Sequence, residues 1–466
     1  MNAYAQAFKE AARRYAADTV HRDRIQQALA GYYVKRDENK ARFQSWPGAR
    51  AAAADIKWEA VNHLDRYLEE FVSKLEARGT KVFWAPGAKE ARDYIIGVAR
   101  QHKVRSIIKS KSMTAEEIHL NGALEDAGFE VVESDLGEFI VQLRQEPPYH
   151  IVFPAMHLTR RQISDLFHER LGSEPTNSPE DLTMVARRVM RRKYCAADLG
   201  ISGANFAIAE TGMISITENE GNARLTTSLP KVHVAIMGIE KVLPRLSDLA
   251  LFLPMLATSG AGQPIACYNT LYGGPRQPGE PDGPEEFHVV LLDNRRTALL
   301  ADVEQRDTLH CIRCGACLNV CPVFKNVGGH TYGTTYPGPI GSVITPHLRE
   351  LQDWKHLSQA SSLCGACTET CPVKINLHHH LLRNRRNAMR ARPGRLEKML
   401  QTGFAFMMRR PALYQFAARA GRLAQPLQPL VQGTVFDPLR AWTQTRSFPR
   451  VAKKSFRKLW RERKKS

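Results

Sequence analysis

Cys311-Ile-Arg-Cys314-Gly-Ala-Cys317-Leu-Asn-Val-Cys321-Pro322 places four thiols and a proline within one short loop. Three closely spaced cysteines can wrap one inorganic cluster, while a fourth, followed by proline, is turned elsewhere; this spacing holds cubane iron–sulfur clusters in bacterial-type ferredoxins. A second run, Ser361-Ser-Leu-Cys364-Gly-Ala-Cys367-Thr-Glu-Thr-Cys371-Pro372, repeats it one thiol short, with Ser361 at the missing position. In two-cluster ferredoxins the proline-flanked cysteine ligates the other cluster. The expected sets are therefore Cys311, Cys314, Cys317 and Cys371 for one [4Fe-4S] cluster, and Cys321, Cys364 and Cys367 for a second. The fourth position of the second cluster stays open between the Ser361 hydroxyl, a distant Cys267 or Cys195, solvent, and a three-iron cluster. Zinc fits poorly, because it needs paired C-x2-C knuckles and leaves the x3-C-P arm unused. Paired clusters pass single electrons, so the segment is expected to act as a wire between a donor and an acceptor.

The chain around these runs has 466 residues and nine cysteines, seven of them in the two runs. Disulfide use would call for a small secreted chain, and reduced thiols in cluster spacing fit an intracellular compartment. Met1 to Lys9 lead into Glu10 and Arg13 without an apolar h-region or a twin-arginine signal, so a cytoplasmic location is expected. The most apolar stretch, Leu249 to Ala261, contains Pro254 and is too short to span a bilayer. The net charge of +19 suggests nucleic acid at first. Yet residues 383–466 hold 22 Lys and Arg against 3 Asp and Glu, which accounts for all of it. A basic tail on a neutral body reads as a docking surface for an acidic partner or an anionic membrane face, with nucleic acid ranked last. Leu396, Met399, Leu400, Phe404 and Met407, then Leu413, Phe416 and Ala420, recur at helical spacing in that tail and point to amphipathic helices. Its end, Arg450 to Lys465, is a plain basic run carrying Phe456 and Trp460.

Upstream, residues 1–63 read as a helical region from the spacing of Tyr4, Phe8, Ala12 and Tyr15, then Ile25, Leu29 and Tyr32. Residues 64–300 alternate between helix and strand patterns. Helices are expected over Leu64 to Arg78, Ala88 to His102, Ala115 to Ala127, Arg160 to Leu171 and Asp181 to Ala197. Strands are expected at Lys81 to Trp84, Ser106 to Lys109, Phe129 to Glu133, Ile151 to Phe153, Phe206 to Ala209, Met213 to Thr217, Val232 to Met237 and His288 to Leu292. This is the pattern of βαβ units and a mainly parallel sheet. Residues 301–385 form the all-α, ferredoxin-like two-cluster domain, and residues 386–466 the basic helical tail.

Polar clusters break the apolar strands. Lys109-Ser-Lys111-Ser-Met113 follows a strand and precedes a helix, where backbone N–H groups and lysines favour an anion; Thr114-x-x-Glu117 is also a capping-box pattern. Asp135-Leu-Gly-Glu138 follows another strand, and Glu210-Thr-Gly212 and Glu218-Asn-Glu-Gly-Asn-Ala-Arg224 are expected together at one sheet edge, with Lys109, Lys111, Glu138, Glu210 and Arg224 as a possible ligand site. No G-x-G-x-x-G follows the first strand and no P-loop or G-x-S-x-G occurs, so common nucleotide sites and a nucleophile elbow are unsupported. Cys195 and Cys267 are expected to be inert buried thiols. His378-His379-His380 are expected at the surface, since three neighbours on a helix point three ways.

Taken together, Lys109-Ser-Lys-Ser-Met113, Glu133-Ser-Asp-Leu-Gly-Glu138, Ala209-Glu-Thr-Gly212, Glu220-Gly-Asn-Ala-Arg224 and the seven cysteines resemble the family of lactate utilisation B proteins, the iron–sulfur subunits of a three-protein bacterial L-lactate oxidation system. The resemblance spans nearly the whole chain. It implies a lactate-utilisation α/β domain similar to the ribose-phosphate isomerase and CoA-transferase superfamily, and seven cluster cysteines rather than eight. It also implies two partners, a cysteine-rich-domain subunit and a second, cluster-free lactate-utilisation protein. The function it implies is electron transfer during oxidation of L-lactate to pyruvate, with the chain's own catalytic share open. The alternative is the iron–sulfur subunit of a glycolate-type 2-hydroxy-acid oxidase coupled to quinone, its α/β domain a non-catalytic assembly module.

Overall fold

Ile107 and Ile108 are adjacent in sequence and point to opposite faces of one strand, yet both are buried. Successive side chains of a strand alternate between faces, so a strand apolar at every position needs cover on both sides. Among the described residues ten strands are present: β1 (Lys81–Ala85), β2 (Ser106–Lys109), β3 (Glu130–Glu133), β4 (Leu199–Ser202), β5 (Phe206–Ile208), β6 (Met213–Glu218), β7 (Val232–Gly238), β8 (Val242–Leu243), β9 (Tyr268–Tyr272) and β10 (Glu286–Leu292). Six of them form an all-parallel sheet in the order β1-β10-β7-β4-β2-β3. On one face Ile107, Val131, Val234, Ile236, Val290 and Leu292 pack with helices Ala88–Gln101 and Leu120–Asp126. On the other, Ala235, Met237, Val289 and Leu291 meet the amphipathic helix Leu64–Glu76. The α/β expectation is therefore met in a mainly parallel sheet.

The computed structural model describes residues 2–392, 395–432, 434, 437, 440–443, 446, 452 and 454–463. Two compact units divide the chain, Met1–Ala388 and Met389–Ser466. In the first, helices Ala3–Ala17, Thr19–Lys40 and Trp46–Asn62 precede the sheet, and Ile25, Leu29 and Tyr32 enter one apolar core with Cys314, Leu318 and Phe324 of the cysteine segment. The described residues after Leu292 contain helices and turns only. No helix of the described residues is long and apolar enough to cross a membrane. In the second unit, helices Arg395–Met408 and Pro411–Ala424 leave Met399, Leu400, Phe404 and Phe416 exposed. The side chain of Leu396, and Arg450, Lys453, Lys464 and Lys465 of the basic run, lie outside the described residues.

Several expectations are corrected. Residues 151–153 form no strand; Val152 and Phe153 instead give their N–H groups to His150 Nδ1 at 3.0 and 3.2 Å, which closes a tight turn. The helix expected over Ala115 to Ala127 breaks into Met113–Glu117 and Leu120–Asp126, because His119 sits in the left-handed region at φ 52°. The cap of the first piece is Ser112, which accepts from Ala115 N, and not Thr114. β5 and β6 are not part of the parallel series. They build a second, four-stranded sheet of order β8-β5-β6-β9, in which β6 pairs antiparallel with both neighbours.

Candidate iron–sulfur site and adjoining cavity

The two cysteine runs fold into matching loops. Gly315 and Gly365 adopt φ 75° and 84°, which an L side chain resists, and each opens a one-turn helix, Ala316–Val320 and Ala366–Thr370. Arg313 and Leu363, which precede the second position of each run, share φ 59° and 57°. Each helix ends at an extended Cys-Pro step, Cys321-Pro322 and Cys371-Pro372. The proline-flanked thiols cross over: Cys371 feels Cys311, and Cys314 feels Cys371, while Cys367 feels Cys321 and Cys364. The structure thus brings Cys371 to the first loop and Cys321 to the second.

Whether these residues fit iron–sulfur clusters can be judged from the thiols themselves. All nine cysteines are free. Cys314, Cys317, Cys367 and Cys371 are buried, Cys311 and Cys321 half-buried, and Cys364 exposed. Burial and neighbouring thiols push Cys371 up to about 12 and Cys367 up to about 11. A bound cationic metal would offset that cost and hold the thiols as thiolates. Backbone N–H groups already aim at the sulfurs: Arg313 N lies 3.4 Å from Cys311 Sγ, Phe324 N 3.5 Å from Cys321 Sγ and Ile375 N 3.4 Å from Cys371 Sγ. Such donors offset thiolate charge and tune cluster potential. Loop geometry, burial and aimed N–H donors suit these sulfurs to iron–sulfur ligation.

A buried ionic chain joins the first loop to the sheet. Arg313 Nη2 lies 3.2 Å from Glu240, Glu240 accepts Arg296 Nε at 2.6 Å, and Arg296 makes a two-pronged pair with Glu117 at 2.9 and 2.8 Å. Tyr336 OH donates to the same Glu117 at 2.7 Å. Burial alone would raise Glu240, but Arg296 and Arg313 outweigh it and hold it at about 2. Lys57 donates to the Glu240 and Val242 carbonyls at 2.6 and 3.2 Å, and Lys241 lies alongside; burial lowers both ammoniums to about 8. Among the described residues, Arg313, Arg296, Lys57 and Lys241 thus face two carboxylates, Glu240 and Glu117. The excess of positive charge lies beside Cys311, where a cluster with thiolate ligands brings negative charge.

A cavity of about 410 Å³ opens between the carboxyl edge of the parallel sheet and that loop. Its walls include Lys111 and Asn205 from the sheet edge, Glu220 from the β6 side, and Lys241, Arg313 and Cys314. Lys111 Nζ donates to the Val152 carbonyl at 3.0 Å and approaches Glu138 at 3.8 Å. Burial pushes Glu138 up to about 8, and burial followed by Asp135 pushes Glu220 up to about 7.

Of the five α/β residues expected at a ligand site, Lys111 lines the cavity. Lys109 and Glu138 stand behind it; Lys109 is fully buried and paired with Glu133 at 2.7 Å. Glu210 does not reach it. It lies before β6, at the end opposite Glu218, and its carboxylate accepts Leu246 N. Arg224 is exposed over the Tyr268 ring and does not line the cavity either. Lys241 and Arg313 were not anticipated. Their only sequence signal is a charge placed directly after a buried strand or inside the cysteine loop. Cys195 and Cys267 are exposed rather than buried. His380 is buried against Asp307 at 2.9 Å, not at the surface, whereas His379 is exposed.

Three family models match in succession: a LUD domain over residues 68–292, a 4Fe-4S dicluster domain over 307–375, and the C-terminal region of lactate utilisation protein B over 376–465. Curated relatives match over most of the chain. Lactate utilization protein B of Shouchella clausii is 44% identical over 90% of this chain and 89% of its own length, and that of Bacillus pumilus 42% identical over 99% and 98%. An Escherichia coli protein named as the uncharacterized electron transport protein YkgF is 40% identical over 97% and 95%. Among solved structures, a DUF162 family protein from Deinococcus radiodurans aligns at 13% identity over 49% of this chain and 98% of its own, with a TM-score of 0.28, too low to speak to the fold.

Proposed function

The chain belongs to the lactate utilisation protein B family, and from that membership we propose that it carries electrons released when L-lactate is oxidised to pyruvate. Two bound [4Fe-4S] clusters supply one-electron relay stations. The observation that carries this reading is the crossover of Cys371 to the first loop and Cys321 to the second, the arrangement two adjoining clusters need. Cys311, Cys314, Cys317 and Cys371 hold the deeper cluster. Cys321, Cys364 and Cys367 hold the shallower one, with the Ser361 hydroxyl as its fourth donor. Exposed Cys364 makes that second cluster the one a partner reaches.

The partners are a cysteine-rich-domain subunit and a second lactate-utilisation-domain protein, in the cytoplasm or at the inner membrane face. Exposed Met399, Phe404, Phe416 and Trp460 among basic residues of the second unit support a docking role for the tail. The α/β domain, a parallel sheet with helices on both faces, is similar to the ribose-phosphate isomerase and CoA-transferase superfamily.

Anaerobic purification with iron and sulfide analysis tests the cofactor. About eight irons per chain, with reduced-cluster EPR signals, are expected; zinc in place of iron ends the electron-transfer reading. Growth of a strain lacking the chain tests the pathway, with L-lactate as sole carbon source. Growth should fail on lactate and persist on glucose.

A further inference from the structure

Glu146, His157 and His330 meet beside Tyr149, apart from the cysteine set. One donor atom from each, a carboxylate oxygen and two imidazole nitrogens, lies within 4.8 Å of the other two. Donors of one tetrahedral ion stand roughly 3.4 Å apart, so a small closing movement completes such a shell. The three come from two segments. Glu146 and His157 flank the turn that His150 closes, while His330 follows Gly328-Gly329 in the stretch between the cysteine runs. Gly329 permits the approach, since a Cβ there would come within 1.7 Å of the Tyr149 carbonyl oxygen. Buried Tyr149 stacks on His157 at 4.7 Å and meets His330 edge-on at 5.1 Å, which holds both rings in place. Arg24 Nη1, from the helix Thr19–Lys40, pins the His157 carbonyl at 2.7 Å.

The charge states suit ligation, which needs an ionised carboxylate and neutral imidazoles. Burial alone would raise Glu146, but His157 outweighs it and the carboxyl lies below its ordinary value. Burial, followed by His157, lowers His330, so its imidazole is neutral at pH 7. His330 Nε2 donates to the Pro147 carbonyl at 2.8 Å, which fixes the ring. A cavity of about 300 Å³ with Pro147, Gly329 and His330 in its wall gives an ion a way in and water a place as fourth ligand.

We propose that Glu146, His157 and His330 bind one divalent ion of the zinc class, which clasps the loop of residues 146–157 to the stretch that follows the first cysteine run. Two imidazoles and a carboxylate suit zinc, whereas calcium and magnesium prefer oxygen alone. In the free protein His157 Nε2 lies 2.7 Å from Glu146 Oε1, and the buried His157 Nδ1 has no hydrogen-bond partner. The ion takes the place of the proton between Nε2 and Oε1, and that proton moves to Nδ1, where no bond is broken. This zinc is additional to the cluster iron. The competing reading is an ion pair without metal, since Arg144 Nε also reaches Glu146 Oε1 at 3.0 Å.

The test uses the full-length, anaerobically purified holoprotein with its iron counted, titrated with zinc chloride by calorimetry and then measured by X-ray absorption at the zinc edge. Saturable binding of about one zinc per chain is expected beside full iron, with a first shell of nitrogen and oxygen at about 2.0–2.2 Å, imidazole scattering beyond it and no sulfur. His330→Gln should weaken zinc binding by at least about tenfold with iron content unchanged. Glu146→Gln should do the same, and the wild-type shell alone decides the matter if either variant loses iron. Absence of saturable zinc binding, sulfur in the zinc shell, or an iron-replete variant that binds zinc as wild type does each overturn the proposal. Sulfur would place the zinc on the cysteines instead.

Discussion

Ser361 Oγ accepts the backbone N–H of Leu363 at 3.2 Å, as Cys311 Sγ accepts that of Arg313 at 3.4 Å, so the serine occupies the station of a ligand thiol in the second loop. An alkoxide is a harder ligand than a thiolate and holds iron less firmly. Ser361→Ala should therefore lose one iron per chain on brief exposure to air, from about eight to about seven, while Ser361→Cys should retain all of them. Iron analysis after timed oxidation checks this, and an alanine variant as durable as wild type would show that Ser361 is no ligand.

The proposed crossed ligation makes an unusual demand on mutants. Cys371 belongs by sequence to the second run, yet its thiol lies with Cys311 and Cys314. Cys371→Ser and Cys311→Ser should then remove the same EPR signal and leave the one that Cys364→Ser removes. If Cys371→Ser instead matches Cys364→Ser, each run holds its own cluster and the crossover is wrong.

The cysteine loops were legible because their turns are local: spacing, proline and glycine specify the turns without help from distant residues. The same holds for the apolar strands β1, β2, β7 and β10. β4 was missed although it is central. Leu199-Gly-Ile-Ser202 is short, and Gly200 is there because a Cβ would come within 2.0 Å of the Thr226 carbonyl oxygen, a contact no local pattern shows. Glu210 and Arg224 were misplaced for want of β6's register, since a strand separates motifs that lie close in sequence. Arg313, Glu240, Arg296 and Glu117 meet only through tertiary packing. Charges set within four residues of the ends of buried strands, Glu240-Lys241 after β7 and Arg295-Arg296 after β10, are the trace they leave in sequence.

Glu240 should be the most sensitive carboxylate of the fold. It serves both Arg296 and Arg313, and removing one member of a buried ion pair leaves the other charge uncompensated. Glu240→Gln is expected to lower unfolding free energy by about 3–5 kcal/mol, read from denaturant melts of anaerobic protein. The wild-type pH profile carries the same signature. Its folded pKa, near 2, lies below the ordinary value of 4.5, so its contribution is complete above about pH 4.5 and is lost as pH falls toward 2. In the glutamine variant the slope of stability across that window should flatten; an unaltered slope assigns acid sensitivity elsewhere.

Glu220 carries the opposite sign. Burial first, and Asp135 second, raise its carboxyl from 4.5 to about 7, while Leu136 N donates to its Oε2 at 3.0 Å. Below about pH 4.5 the folded and unfolded chains both hold the proton. Between there and pH 7 only the folded chain does, so stability declines as pH rises through that interval. Glutamine keeps the carbonyl oxygen that Leu136 N needs and cannot ionise. Glu220→Gln should therefore raise stability by about 1–2 kcal/mol at pH 8, after allowance for solvent screening at a partly exposed site. That gain should fade to nothing near pH 4.5. Thermal melts of both proteins at pH 4.5, 6 and 8 check it, and a constant difference across the three would mean that the carboxyl ionises no later in the folded chain than in the unfolded one.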